Sequence, residues 1–275
     1  MKEEKIKKAV REGYAEVAKT DSTCYTAPSS CCGGADLAKD ISRNIGYTDE
    51  DIEAVPDGAN LGLGCGNPVA LASLEEGDVL LDLGSGAGFD SFIAARQVGR
   101  KGRVIGVDMT PEMLDKAREN ARKGGYDNVE FRLGEIEHLP VADNSVDVII
   151  SNCVINLVPD KKAVFNDAFR VLKPGGRLMV SDIVLLKELP AAIKESVSAY
   201  VGCLAGAVMK DEYIGAIKSA GFANVEITED KSFPIKLMAN DPTAKAVMEN
   251  MDIPREKLAD VADSAHSISV RAVKP

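Results

Sequence analysis

The sequence predicts an α/β protein built on a doubly wound parallel sheet, and three observations carry that reading. The first is the run at 79–88, Val-Leu-Leu-Asp-Leu-Gly-Ser-Gly-Ala-Gly, in which an apolar strand pattern ends in spaced glycines and opens on a helical segment at 89–98. Unbroken apolar runs mark strands covered on both faces. The second is the alternation of strand and helix patterns that follows it, which implies βαβ units with right-handed crossovers. The third is composition: 275 residues with 45% hydrophobic and 28% charged side chains suit a water-soluble core of one large domain or two small ones.

Taken in order, Ile6, Val10, Tyr14 and Val17 recur at helical spacing and predict a helix over 3–19. From 20 to 35 the pattern gives way to Ser, Thr, Gly, Pro and three cysteines, which is loop composition. A short helix is expected over 36–44. Thr48 then N-caps another, with acids filling its first turn. A glycine-rich loop occupies 55–66, and Asn67-Pro68 is an N-cap and first-turn signature. Two long loops, both carrying cysteine, thus precede the first strand, and loops of that length are usually functional.

After Gly88 the alternation is regular. Strands are expected at 103–107, 129–133, 146–151 and 177–181. One helix runs from Thr110-Pro111 to Gly124-Gly125, and another from Asp160 to just before Lys173-Pro174-Gly175-Gly176. Further helices are expected near 190–201 and 211–220, with strands at 224–228 and 267–273. The stretch 231–266 reads as a helical insertion over the substrate side. The chain divides on this reading into N-terminal helix and cysteine loops (1–74), a cofactor-binding core (75–185) and a region completing the sheet (186–275).

Bulk properties exclude several roles. A net charge of -10 argues against nucleic acid, which rewards clustered Lys and Arg. No apolar run approaches a membrane span, and the N-terminus opens an amphipathic pattern rather than a signal peptide. A cytoplasmic monomer is expected. Six cysteines (Cys24, Cys31, Cys32, Cys65, Cys153 and Cys203) in such a chain point to thiolate chemistry, since a cytosolic α/β core does not rely on disulfides. No C-x-x-C pair exists, so a structural zinc site has poor spacing. His138 and His266 are the only histidines and are read as structural.

The glycine turn points to a nucleotide-type cofactor, because glycine admits positive φ and close approach of a ligand to backbone. A dinucleotide turn reads G-x-G-x-x-G; here Phe89 stands where the third glycine belongs. Asp108, at the end of the second strand, is placed to accept hydrogen bonds from ribose hydroxyls. The ordered series Asp82-x-Gly84-x-Gly86-x-Gly88, Gly106-Val107-Asp108-Met109, Gly134-Glu135-Ile136-Glu137-His138-Leu139-Pro140 and Lys173-Pro174-Gly175-Gly176 resembles the class I methyltransferases that use S-adenosyl-L-methionine. That resemblance, over about 75–185, implies a Rossmann-like seven-stranded sheet with helices on both faces. It implies Asp82 near the methionine ammonium, with Gly84, Ser85 and Gly86 amides at its carboxylate. Asp108 would hold the ribose and Met109 pack on the adenine. Glu135 and the amide of Ile136 would read the adenine edge, and Asn152 would complete the site. Tyr14 is weighed between core packing and a cover over the cofactor.

The fold alone leaves the substrate open. Cys153 sits in Ser-Asn-Cys-Val-Ile-Asn-Leu at 151–157, at the carboxyl end of the fourth strand, where open α/β sheets place their chemistry. Cys65 lies in Leu-Gly-Cys-Gly-Asn-Pro at 63–68, Cys203 in Val-Gly-Cys-Leu at 201–204, and Cys31-Cys32 in Ser-Ser-Cys-Cys-Gly-Gly at 29–34. These contexts resemble arsenite S-adenosylmethionine methyltransferases, up to about residue 225. The resemblance implies that Cys65, Cys153 and Cys203 bind trivalent arsenic, a soft centre that thiolates select. It also implies a fourth, redox-active cysteine, Cys32 or its neighbour Cys31, and a thiol reductant of glutathione or thioredoxin type as co-substrate. The competing readings are a C- or O-methyltransferase of quinone-precursor type and a non-catalytic metalloid- or zinc-binding protein.

Overall fold

A computed structural model of the chain describes residues 3–19, 34–189, 204–232 and 264–275, without the side chains of 34–37. The predicted helix at 190–201 and most of the predicted insertion at 231–266 lie outside these residues, as do Cys24, Cys31, Cys32 and Cys203. The two ends of that insertion are strand: Lys231 and Ser232 close one strand, and Ala265 and His266 open the next. Both ends continue an antiparallel ladder, which is why a helical reading fails there.

The elements follow as α1 (Glu3–Lys19), α2 (Gly34–Asn44), α3 (Asp49–Glu53), α4 (Pro68–Leu71), β1 (Val79–Leu83), α5 (Phe89–Val98), β2 (Arg103–Asp108), α6 (Pro111–Gly124), β3 (Val129–Leu133), β4 (Val146–Asn152), α7 (Lys161–Val171), β5 (Leu172–Leu185), α8 (Lys210–Ser219), β6 (Ala223–Ser232) and β7 (Ala265–Val273). The seven strands form one sheet in the order β3-β2-β1-β4-β5-β7-β6. Strands β1 to β5 pair parallel with one another, while β7 runs antiparallel to both β5 and β6. The order reverses between β1 and β4, and ligands of open α/β sheets sit at that point, outside the carboxyl ends.

The caps behave as composition demands. Thr48 and Asp51 form a reciprocal capping box at the start of α3, Asn67 accepts from the Ala70 amide, and Asp160 accepts from the Ala163 amide. The strand β5 runs well beyond its expected five residues: Leu172 already pairs with Val146, Lys173-Pro174-Gly175-Gly176 form an irregularity where the register with β4 shifts, and the far end continues along β7 to Leu185. Layers of core lie on both faces of the sheet. One contains Leu81, Ile149, Phe165 and Val180, the other Leu80, Ile93, Val104 and Ile150. A smaller cluster at the carboxyl ends joins Ile6 and Val10 of α1 to Cys65, Leu157, Ile183 and Ala265. Tyr14, Met109 and Cys153 pack against it. The N-terminal helix is thus laid over the functional edge of the sheet.

Candidate active site

The glycine turn after β1 is built by sterics. Gly84, Gly86 and Gly88 all have positive φ. A Cβ on Gly84 would lie 2.4 Å from Val154, and one on Gly88 would meet the Phe92 ring. A Cβ on Gly86 would meet nothing, so only this glycine borders open space.

The N–H groups of Gly84 and Ser85 both donate to Val107 O, at 2.8 and 3.0 Å. The Gly86 N–H donates to Asp108 Oδ2 at 3.0 Å. The amides expected at a ligand carboxylate are therefore engaged within the protein. They fix the turn against β2 instead. Asp82 is 2% exposed and accepts from Ser91 Oγ at 2.6 Å. Burial and the neighbouring Asp90 push its carboxyl well above the usual range. It lies under the turn.

Asp108 is half-buried at the mouth. Its two oxygens accept from the Gly86 and Thr110 amides, leaving further lone pairs for a ligand's hydroxyls. Burial raises this carboxyl and those amides partly offset the shift. Met109 packs beside it at the edge of the α1 cluster. Ser85 Oγ is buried without a hydrogen-bond partner in the protein, which is the kind of orphaned group a bound molecule satisfies.

Glu135 carries a partner that sequence reading missed. Lys7 Nζ of α1 stands 2.7 Å from Glu135 Oε2 and 2.7 Å from Glu137 Oε1, and Arg11 adds a longer contact to Glu135. Hydrogen bonds to the two carboxylates hold the Lys7 ammonium above its ordinary value against the opposing effect of burial. Ile136, between the acids, is buried in the core.

Asn152, expected at the cofactor, turns its amide toward the cysteine loop. Its Oδ1 accepts from the Cys65 N–H at 3.0 Å, and its Nδ2 donates to Gly66 O at 2.8 Å. The same amide lies 2.9 Å from Tyr47 Oη, which donates to Asp90 Oδ1. Ser267 Oγ of β7 donates to Cys65 O at 2.6 Å. The loop is thereby pinned from β4 and β7 together. Gly66 is required because a Cβ there would lie 2.7 Å from Ser181.

Cys153 follows β4 directly and has φ +59, a left-handed conformation uncommon outside glycine and often found at functional positions. Its N–H donates to Ser181 O at 2.8 Å, and the Cys65 thiol approaches that same carbonyl at 3.5 Å. The two cysteines, distant in sequence, are therefore adjacent. Neither is in a disulfide.

A third group joins them: the Cys65 and Cys153 sulfurs and a carboxylate oxygen of Asp182 all lie within 4.8 Å of one another. Asp182 is 1% exposed. It accepts from Asn156 Nδ2 at 2.7 Å, the Ile183 N–H at 2.9 Å and Tyr213 Oη at 3.2 Å. Burial pushes its carboxyl up to about 7 despite these donors. Sequence analysis passed over Asp182. The available signal was its place, an acid at the carboxyl end of the fifth strand in Val-Ser-Asp-Ile at 180–183. The histidines stay apart from this cluster. His266 Nδ1 pairs with Asp230 at 2.5 Å on the β6–β7 ladder.

Comparison with known proteins gives a consistent set of likenesses. A family model described as a methyltransferase domain matches residues 74–221. An arsenite methyltransferase of Halobacterium salinarum is 50% identical over 231 residues, covering 82% of this chain and 59% of that protein. The human arsenite methyltransferase is 34% identical, covering 81% and 59%. The crystal structure of an arsenic(III) S-adenosylmethionine methyltransferase from Chlamydomonas reinhardtii superposes with TM-score 0.64 at 34% identity, covering 86% of this chain and 73% of that one. The chain spans about three fifths of the length of the halobacterial and human relatives.

Proposed function

Since this chain belongs to the arsenic(III) S-adenosylmethionine methyltransferases of the methyltransferase-domain family, we propose that it methylates trivalent arsenic, taken up as arsenite or its thiol conjugates. The single observation that carries this reading is the pairing of Cys65 and Cys153 at the carboxyl ends of the sheet, next to a glycine turn whose flank, Val154, follows Cys153 in the chain.

S-adenosyl-L-methionine, when bound, supplies a methyl group activated by a sulfonium. The residues present fit it. Asp108 offers acceptors to the ribose, Gly86 leaves the turn open, Ser85 has an unsatisfied hydroxyl, and Met109 and Ile136 border the adenine position. Glu135, held by Lys7, would reach the adenine amino group. Asp82, held by Ser91, would supply an acid near the methionine ammonium, through solvent or directly.

On the substrate side, the thiolates of Cys65 and Cys153 hold arsenic and raise its electron density, with Cys203 as the third sulfur of the set. Positioning is the main contribution of the protein. Arsenic carries no proton, so no general base is required for the attack. The apolar cluster of α1, Leu157 and Ile183 keeps water from the thiolates. Cys32 and a glutathione- or thioredoxin-type reductant would return arsenic and the cysteines to their reduced states.

The test is arsenite methylation with S-adenosylmethionine and a thiol, read by product mass, in Cys65→Ser and Cys153→Ser. Loss of product in both, with S-adenosylmethionine affinity retained by calorimetry, is the expected result. Turnover surviving either change on a carbon or oxygen nucleophile would instead favour a quinone-precursor type of substrate.

A further inference from the structure

We propose that Cys65, Cys153 and Asp182 also form a binding site for a thiophilic divalent cation, Zn2+ or Cd2+, which takes the pocket in place of the arsenical. Its consequence, metal inhibition of methylation, rests on the function proposed above; the binding itself does not.

The donor set is the argument. Two sulfurs and one carboxylate oxygen converge within 4.8 Å. Two sulfurs sharing one tetrahedral ion at bonds of about 2.3 Å stand about 3.8 Å apart, so a small rotation of one thiol closes the site. Asp182 is oriented as metal-binding carboxylates are, by hydrogen bonds from Asn156, Tyr213 and the Ile183 amide. Cys65 is fixed through its backbone on both sides, by Asn152 and Ser267. Such an S2O set presents its three donor atoms together, largely buried, at the carboxyl ends of the sheet.

The same set distinguishes two kinds of guest. Trivalent arsenic takes its bonds from sulfur, and a hard carboxylate oxygen adds little to it. A borderline dication accepts sulfur and oxygen alike, and Asp182 gives it a third negative charge. Each thiol that coordinates releases its proton to solvent, and so does Asp182 where its raised carboxyl is protonated, so one cation displaces up to three protons and nothing is oxidised or reduced. Asp182 is therefore a selective contributor: important for the cation and dispensable for the arsenical.

The experiment is titration of the full chain, with Cys24, Cys31, Cys32 and Cys203 changed to serine to remove the other thiols, using Co2+ as a coloured probe and Zn2+ as competitor. Thiolate-to-cobalt charge-transfer bands that Zn2+ bleaches are expected. Cys153→Ser should abolish them, and Asp182→Asn should weaken Co2+ binding about ten-fold or more. Asp182→Asn should still bind phenylarsine oxide, which needs only the thiol pair, and that also checks its fold. In the same chain with Asp182 intact, X-ray absorption of bound zinc should show sulfur and oxygen neighbours. Absence of the thiolate bands, unchanged Co2+ affinity in Asp182→Asn, or an all-sulfur zinc shell would each overturn the proposal. Failure to bind phenylarsine oxide while Co2+ binds would count against the arsenical reading and leave the cation site standing.

Discussion

The Cys65 N–H donates to Asn152 Oδ1 at 3.0 Å across 87 positions of sequence, and this bond sets the distance between the two described thiols. Asn152 is the last residue of β4 and Cys153 is the next in the chain. The residue that ends one cysteine's strand thus holds the other cysteine's loop.

Asn152→Ala removes the acceptor for Cys65 and a donor to Gly66. Two buried backbone groups lose partners, at a cost of about 1–3 kcal/mol each if unsatisfied. Urea denaturation should show a loss in that range. Phenylarsine oxide affinity should fall more than S-adenosylmethionine affinity does, because the change loosens the thiol loop and leaves Asp108 in place.

The glycines of the turn separate fold from ligand. In Gly84→Ala the new methyl meets Val154 at 2.4 Å with φ at +70, so overpacking of about 1–3 kcal/mol adds to the left-handed penalty. Gly86→Ala meets nothing in the protein and pays only the conformational term, about 1 kcal/mol. Thermal unfolding should rank Gly84→Ala well below Gly86→Ala. Calorimetry with S-adenosylmethionine should find Gly86→Ala at least about ten-fold weaker, roughly 1.4 kcal/mol.

Lys7 bridges Glu135 and the buried Glu137. Lys7→Met leaves Glu137 without its cation, and about 1–3 kcal/mol of stability should be lost. Because the bridge ties α1 to the loop after β3, limited proteolysis should cut the variant sooner within α1 while the sheet stays protected.

Asp182 gives a pH signature. Its folded-state value, about 7, lies above the ordinary 3.8, so the folded chain holds this proton more tightly than the unfolded chain. The stability this confers is complete below about pH 4 and is lost as pH rises through 7, at up to about 1.4 kcal/mol per pH unit. Asp182→Asn should remove that part of the slope. Urea midpoints measured from pH 4 to 8 would expose a variant that keeps it.

Local pattern made most of the sheet legible. Strands β1 to β4 and helices α1, α5, α6 and α7 fall where period, caps and glycines put them, because each is decided by its own residues and neighbours. The long β5 was not legible: Lys173-Pro174-Gly175-Gly176 is turn composition, and only the pairing of Leu172 with β4 before it and of 182–185 with β7 after 181 extends the strand. The site divides in the same way. Cys65 and Cys153 are visible as chemistry, and the family resemblance put them together. Asp182, the Lys7–Glu135 bridge and the amide orientation of Asn152 depend on contacts between distant segments. An isolated Asp, Lys or Asn carries no local mark of such a partner.

The bond from Ser267 to Cys65 spans 202 positions, and it bears on how the protein is made. The loop that carries one thiol is locked by β7, 202 positions further along the chain. Until β7 inserts between β5 and β6, a growing chain on the ribosome has only the Asn152 bonds from β4 to hold that loop. Its thiols are then less protected from oxidants and from soft ions. Closure of the Cys65 loop therefore waits on the pairing of strands far apart in sequence.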